Sequence, residues 1–140
     1  MIIGQIKDGI VLDHITAGHS MEIYNVLKLD KLDCTVALIK NADSHKMGKK
    51  DIIKIGTVMD LNLDVLGYID PGITVNIIRD GKVDKRYHLW LPERVVGVIK
   101  CKNPRCITST EVNAVHEFRL ADKDRKIYRC IYCEHEAKTK

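Results

Sequence analysis

Four cysteines carry the clearest chemistry in this chain. Cys101-Lys102-Asn103-Pro104-Arg105-Cys106 and Cys130-Ile131-Tyr132-Cys133 set thiols at C-x4-C and C-x2-C spacing, with 23 residues between the pairs. Each pair can close a tight turn that aims both sulfurs at one point. Two such turns supply a tetrahedral set that suits Zn²⁺ and leaves no open position for a reacting water. The expected group is therefore one structural Zn²⁺ per chain. Four thiolates also accept an Fe–S cluster, and two disulfides are a further alternative. The start of the chain lacks the charged and apolar regions of a signal peptide. A cytoplasmic setting with reduced thiols is thus expected, which argues against disulfides. Cys34 lies in an apolar run with no partner at ligand spacing and reads as a buried structural thiol.

A second group of residues could handle an anion. Asp13-His14 sits at the end of an apolar run, and Lys49, Lys50 and Lys54 cluster about a short β-branched segment. Each set is equally compatible with an ordinary solvated surface. No glycine-rich P-loop is present, so nucleotide hydrolysis is not indicated. His88, His116 and His135 form no interpretable pattern.

Charge is uneven along the chain. Residues 94–140 carry 11 Lys or Arg against 6 Asp or Glu, whereas residues 1–93 carry 12 against 13. The basic end alone would fit a zinc-ribbon nucleic-acid binder. A single Phe and a single Trp leave few stacking platforms for one, however. A zinc enzyme is a third class, but four thiolates close the coordination sphere and no nucleophile–base pair stands elsewhere. Apolar runs of about four or five residues fall far short of a membrane span.

The elements that must position these groups follow from periodicity. Ile2–Lys7 and Ile10–Ile15 read as strands about Asp8-Gly9. Met21 to Leu29 has helical spacing with Ser20 as its cap. Cys34–Ile39 reads as a buried strand, Asn41–Lys50 as a polar connection, and Ile52–Ile55 as a strand ending at Gly56. Asp60 is placed to cap a second helix through Tyr68, closed by Asp70-Pro71-Gly72. Thr74–Arg79 and Lys82–Tyr87 flank Asp80-Gly81, a second hairpin signal. Trp90-Leu91-Pro92-Glu93 reads as a connector, which divides the chain into residues 1–93 and 94–140. The first part is expected to be α+β, a mostly antiparallel sheet with two helices on one face. In the second, Val115–Leu120 and Lys126–Cys130 read as a hairpin that brings the two cysteine turns together. A segment that small needs its metal to fold.

Several stretches together resemble the regulatory chain of aspartate carbamoyltransferase. They are Ile6-Lys7-Asp8-Gly9 with Val11-Leu12-Asp13-His14-Ile15, Met47 to Ile55, Thr74-Val75-Asn76, Leu91-Pro92-Glu93-Arg94, and the four cysteines. The resemblance implies a ferredoxin-like allosteric domain followed by a small all-β domain of zinc-ribbon or rubredoxin-like form. It implies a non-catalytic subunit that binds CTP, UTP and ATP and exerts feedback control on pyrimidine biosynthesis. It also implies regulatory homodimers joined to catalytic chains through the zinc domain, in a dodecamer of six catalytic and six regulatory chains. Carried over by position, Asp13, His14, Lys50, Lys54 and Asn76 would face the nucleotide. Ile3, Gln5, Ile6, Val11, Ile78 and Val83 would line its pocket or offer backbone groups. Arg86 stands where the family has a phosphate-binding lysine, and Gly81 where it has a tyrosine near the base. Cys101, Cys106, Cys130 and Cys133 would hold the zinc.

Overall fold

The computed structural model describes residues 7–137. The chain divides into two compact units, Met1–Trp90 and Leu91–Lys140. Among the described residues, no helix is long and apolar enough to cross a membrane.

In the first unit the elements run β1 (Gly9–Thr16), α1 (Ser20–Val26), a 3₁₀ turn (Leu29–Lys31), β2 (Val36–Ser44), β3 (Gly48–Ile55), α2 (Leu63–Ile69), β4 (Thr74–Arg79) and β5 (Lys82–His88). The strands form one antiparallel sheet in the order β2-β3-β1-β4-β5. The first four strands and the two helices make the βαββαβ pattern of a ferredoxin-like fold, with β5 added outside β4. Period-two alternation decides which face is buried. Ile10, Leu12 and Ile15 of β1, Ile53 and Ile55 of β3 and Val75 of β4 point one way. There they pack with Ile23 of α1, Leu66 of α2, Leu29 and Ile73. Both helices have seven residues. Helices this short are marginal alone, so their packing on the sheet holds them.

A buried carboxylate ties the sheet to its connections. Asp51 of β3 is fully buried. It accepts from the amides of Gly18, Ser20 and Asn41 and from the Ser20 hydroxyl, the last at 2.6 Å. Burial pushes its pKa up, but these donors outweigh it and hold the group below the usual carboxylate range.

Several local expectations are corrected. Ser20 is the first residue of α1 rather than its cap, because its hydroxyl is committed to Asp51 and His19 holds the cap position. The cap of α2 is Asn62, not Asp60; its side chain accepts from the Val65 amide at 3.2 Å. The strand expected over Ile2–Lys7 lies almost wholly outside the described residues. β1 is bordered by β3 on one side and β4 on the other, so Asp8-Gly9 is no hairpin turn into it. β2 begins at Val36, extends to Ser44 and is a half-exposed edge strand rather than a buried one. Cys34 is half-buried and packs against the core. Asp80 and Gly81 both have positive φ, 52° and 75°, which matches the tight hairpin turn expected there.

The second unit contains β6 (Arg94–Val96), a single helical turn α3 (Ile107–Thr110), β7 (Glu117–Asp122) and β8 (Ile127–Cys130), with sheet order β6-β7-β8. The β7–β8 hairpin is the expected one, while β6 and α3 had no separate sequence signal. Val95, Phe118 and Tyr128 are buried here, along with Cys101, Cys106 and Cys130. The Tyr128 hydroxyl donates to the Pro92 carbonyl at 2.6 Å.

Candidate functional site

The two cysteine turns meet at one point. Cys101 and Cys106 come from the loop between β6 and β7, Cys130 ends β8, and Cys133 follows in the next turn. The four sulfurs all lie within 4.8 Å of one another. Cys101 Sγ and Cys133 Sγ are 3.6 Å apart, and Cys106 Sγ and Cys130 Sγ 3.7 Å. A disulfide needs about 2.05 Å, so these pairs are not bonded. Tetrahedral ligation at a Zn–S distance of about 2.3 Å gives sulfur–sulfur edges of ~3.8 Å, and the cluster fits that edge.

Local hydrogen bonds shape both turns. The Cys106 amide donates to the Asn103 carbonyl at 3.0 Å, and the Glu134 amide to the Cys130 carbonyl at 2.9 Å. Burial pushes the Cys101 thiol up to about 12 and raises Cys130 as well. Burial opposes ionisation of Cys106 too, but hydrogen bonds from the Thr108 hydroxyl and amide outweigh it and bring this thiol to about 7. The hydroxyl lies 3.1 Å from Cys106 Sγ. A cation at the centre must therefore displace protons from at least the Cys101 and Cys130 thiols. Arg129 donates to the Glu134 carbonyl at 3.0 Å, which brings a positive charge to the second turn. His116 accepts from the Cys101 amide at 3.0 Å through Nδ1. Fifteen positions separate the two residues, so no spacing rule pointed to it.

Several polar and charged residues of the first unit share the sheet face opposite the helices. Val11 of β1 is paired with Lys54 of β3 on one side and Asn76 of β4 on the other, and Asn76 is paired with Arg86 of β5. Directly opposed residues share a face, so these four form one row across four strands. Arg86 Nε donates to Asn76 Oδ1 at 2.8 Å, and Asn76 Nδ2 to the Val11 carbonyl at 3.3 Å. Ile78 pairs with Val83 beside this row. Asp13, on the same face, meets Lys50 Nζ at 2.9 Å. Burial raises the Asp13 pKa, but Lys50 and the His14 amide outweigh it and leave the group lowered.

Strict alternation would turn Asp13 and His14 to opposite faces. A register shift between Leu12 and Ile15, with His14 at φ 60°, prevents this. The bulge re-aims the imidazole, and its Nδ1 lies 3.2 Å from Thr74 Oγ1, on the residue paired with Asp13. Asp13, His14, Lys50, Lys54, Asn76 and Arg86 are thus brought to one face, with Val11, Ile78 and Val83 beside them. Ile3, Gln5 and Ile6 lie outside the described residues. Lys85 points the other way and lines a cavity of about 380 Å³ with Met59, Leu61, Val75, Ile77 and Tyr87.

A ferredoxin-like sheet with a cation-rich face, followed by a four-thiol module, defines a two-part binding protein. Comparison with known proteins identifies the class. Residues 1–90 match the family model described as aspartate carbamoyltransferase regulatory chain, allosteric domain. Residues 93–140 match that for the metal binding domain of the same chain. A regulatory chain from Clostridium acetobutylicum is 53% identical over 134 residues, covering 96% of this chain and 92% of the relative. One from Clostridium tetani is 51% identical over 135 residues, covering 96% and 94%. One from Bifidobacterium longum is 45% identical over 138 residues, covering 99% of each. The chain belongs to the family of aspartate carbamoyltransferase regulatory chains. It is a regulatory chain and not a catalytic one.

Proposed function

We propose that this chain binds the nucleotides CTP, UTP and ATP on the outer face of its first unit and passes their effect to aspartate carbamoyltransferase catalytic chains. The observation that carries the reading is the row Lys54–Val11–Asn76–Arg86 beside the Asp13–Lys50 pair. Three cations against one carboxylate on a single face suit a polyphosphate. Lys50, Lys54, Arg86 and His14 hold the phosphates, and Asp13 accepts from a ribose hydroxyl or an exocyclic amine. Asn76 joins them, Val11, Ile78 and Val83 line the pocket, and Ile3, Gln5 and Ile6 offer apolar or backbone contacts to the base. The nucleotide role is assigned to residues 1–93 and the zinc role to 94–140, with residues 91–93 a connector that packs within the second compact unit.

The second domain holds one structural Zn²⁺ on Cys101, Cys106, Cys130 and Cys133. Sulfur separations of 3.6 and 3.7 Å support a single tetrahedral ion. When bound, the ion supplies no chemistry at a substrate; it crosslinks two turns and stabilises the fold. This domain contacts the catalytic chain, and regulatory chains pair into dimers within a dodecamer of six catalytic and six regulatory chains. The assembly works in the cytoplasm and controls pyrimidine biosynthesis.

Titration of the full-length chain with CTP, UTP and ATP by calorimetry tests the first half. Binding that survives Lys54→Ala unchanged for all three would refute the placement. Co-purification with a catalytic chain, and its release by a chelator, tests the second.

A further inference from the structure

His116 stands at a junction that the zinc ligands alone do not explain. Its ring accepts the Cys101 amide through Nδ1 at 3.0 Å. Its own carbonyl accepts the Gly97 amide at 2.8 Å, just beyond β6. One residue later β7 begins, and Phe118 of β7 pairs with Cys130, the ligand at the end of β8. The histidine thus connects the first cysteine turn to the strand pair that delivers the second. Cys101 is 7% exposed, so an amide that lost this acceptor would have little water to turn to. Because Nδ1 accepts, the ring proton sits on Nε2, and Nδ1 itself is not free to ligate a metal.

We propose that His116 is a positioning residue of the metal centre. Its neutral ring fixes the Cys101 backbone and with it the direction of Cys101 Sγ. This rests on the four-thiolate zinc reading above. Groups that orient ligands in this way govern how tightly a metal is kept. The role belongs to an acceptor atom at one place, and not to the ring's bulk, so an asparagine that offers Oδ1 there should replace it.

The test uses the full-length, zinc-loaded chain as wild type, His116→Ala and His116→Asn, each challenged with excess chelator at one neutral pH. His116→Ala should release zinc on the order of tenfold faster, and His116→Asn at close to the wild-type rate. An alanine variant with unchanged release would overturn the proposal. So would an asparagine variant as fast as alanine, since that outcome leaves only space-filling. Should His116→Ala not fold, nitrogen NMR of the wild-type ring decides the matter. A proton on Nε2 with an accepting Nδ1 supports the role, and a proton on Nδ1 overturns it. A chain that purifies with a different metal would fail the zinc reading, yet the same release comparison with that metal still judges His116.

Discussion

The two units hold themselves together by different means. The first buries ten aliphatic side chains in one cluster under its helices, each worth roughly 1.5–3 kcal/mol relative to exposure. In the second, among the described residues, the buried apolar side chains are Val95, Phe118 and Tyr128, and the other buried hydrophobic positions are three of the four clustered cysteines. A core of three side chains cannot offset the entropy of ordering nearly fifty residues. Where apolar area is scarce, a metal stands in for it. Exposed apolar side chains do not separate the two units: Met21, Val26, Val83, Tyr87 and Trp90 are exposed in the first, and Val96, Ile107, Val112, Val115 and Tyr132 in the second.

The strongest way to break the comparison is to remove one ligand. Cys106→Ser should unfold the second unit outright, since structural zinc binding in peptides is worth about 10–16 kcal/mol. Calorimetric binding of CTP to the first unit should survive. Simultaneous loss of both would show that the units do not fold separately. Metal analysis and near-ultraviolet dichroism of the variant read the first half.

The first unit should instead fail through its buried carboxylate. Asp51→Ala strands up to four donors, at about 1–3 kcal/mol for each buried one left unsatisfied. Chemical denaturation should show the loss while zinc content stays at one per chain. Acid should produce a milder version. The Asp51 pKa is lower in the folded chain than in the unfolded one. Between those two values the unfolded chain therefore binds more protons. Its stabilisation is complete above the unfolded value of about 3.9 and is lost as the pH falls through the folded one. A first unit whose stability is flat from neutral pH to below 3.9, in wild type, would contradict this.

Apolar, β-branched runs made the strands legible, but burial alternates cleanly only in β3; β1 is interrupted by its bulge and β4 buries three residues in succession. The Asp80-Gly81 turn was legible because both residues must take positive φ. The metal cluster was legible because two short spacings are enough to aim four sulfurs. What escaped depends on pairing between distant strands. The bulge that turns His14 onto the face of Asp13 exists only because β1 is matched to β3 around it. Asp51 gives no local sign that Gly18, Ser20 and Asn41 will converge on it. β6 is three residues long and is defined by its partner, β7. His116 reaches Cys101 only after the hairpin folds. The caps of α1 and α2 were misplaced because several polar residues precede each helix and only geometry selects among them.

Lys54→Ala sets the scale for the sheet face. A charge-assisted contact to phosphate contributes about 1.5–3 kcal/mol, so its loss should weaken nucleotide binding roughly ten- to a hundredfold. The variant should fold, keep its zinc and still join catalytic chains. Unchanged affinity would move the phosphates elsewhere on the sheet.

The smallest effect is the most discriminating, because it compares two adjacent cations. Arg86 shares the outer face with Asn76 and Lys54, while Lys85 lines the cavity on the helix side. Neighbours on a strand cannot serve one pocket equally. Arg86→Ala should therefore weaken triphosphate binding by about tenfold, at the low end of a charge-assisted contact, and nucleoside binding hardly at all. Lys85→Ala should leave both near wild type. Arg86→Lys sharpens the test. Nε of Arg86 is engaged by Asn76 Oδ1 at 2.8 Å, so the guanidinium reaches the row already oriented, with its remaining nitrogens available for a forked contact to phosphate. A lysine would keep the charge but lose the fork, so its binding should fall between wild type and alanine. Equal losses from Lys85→Ala and Arg86→Ala would mean that net charge, and not the face on which it stands, draws the anion.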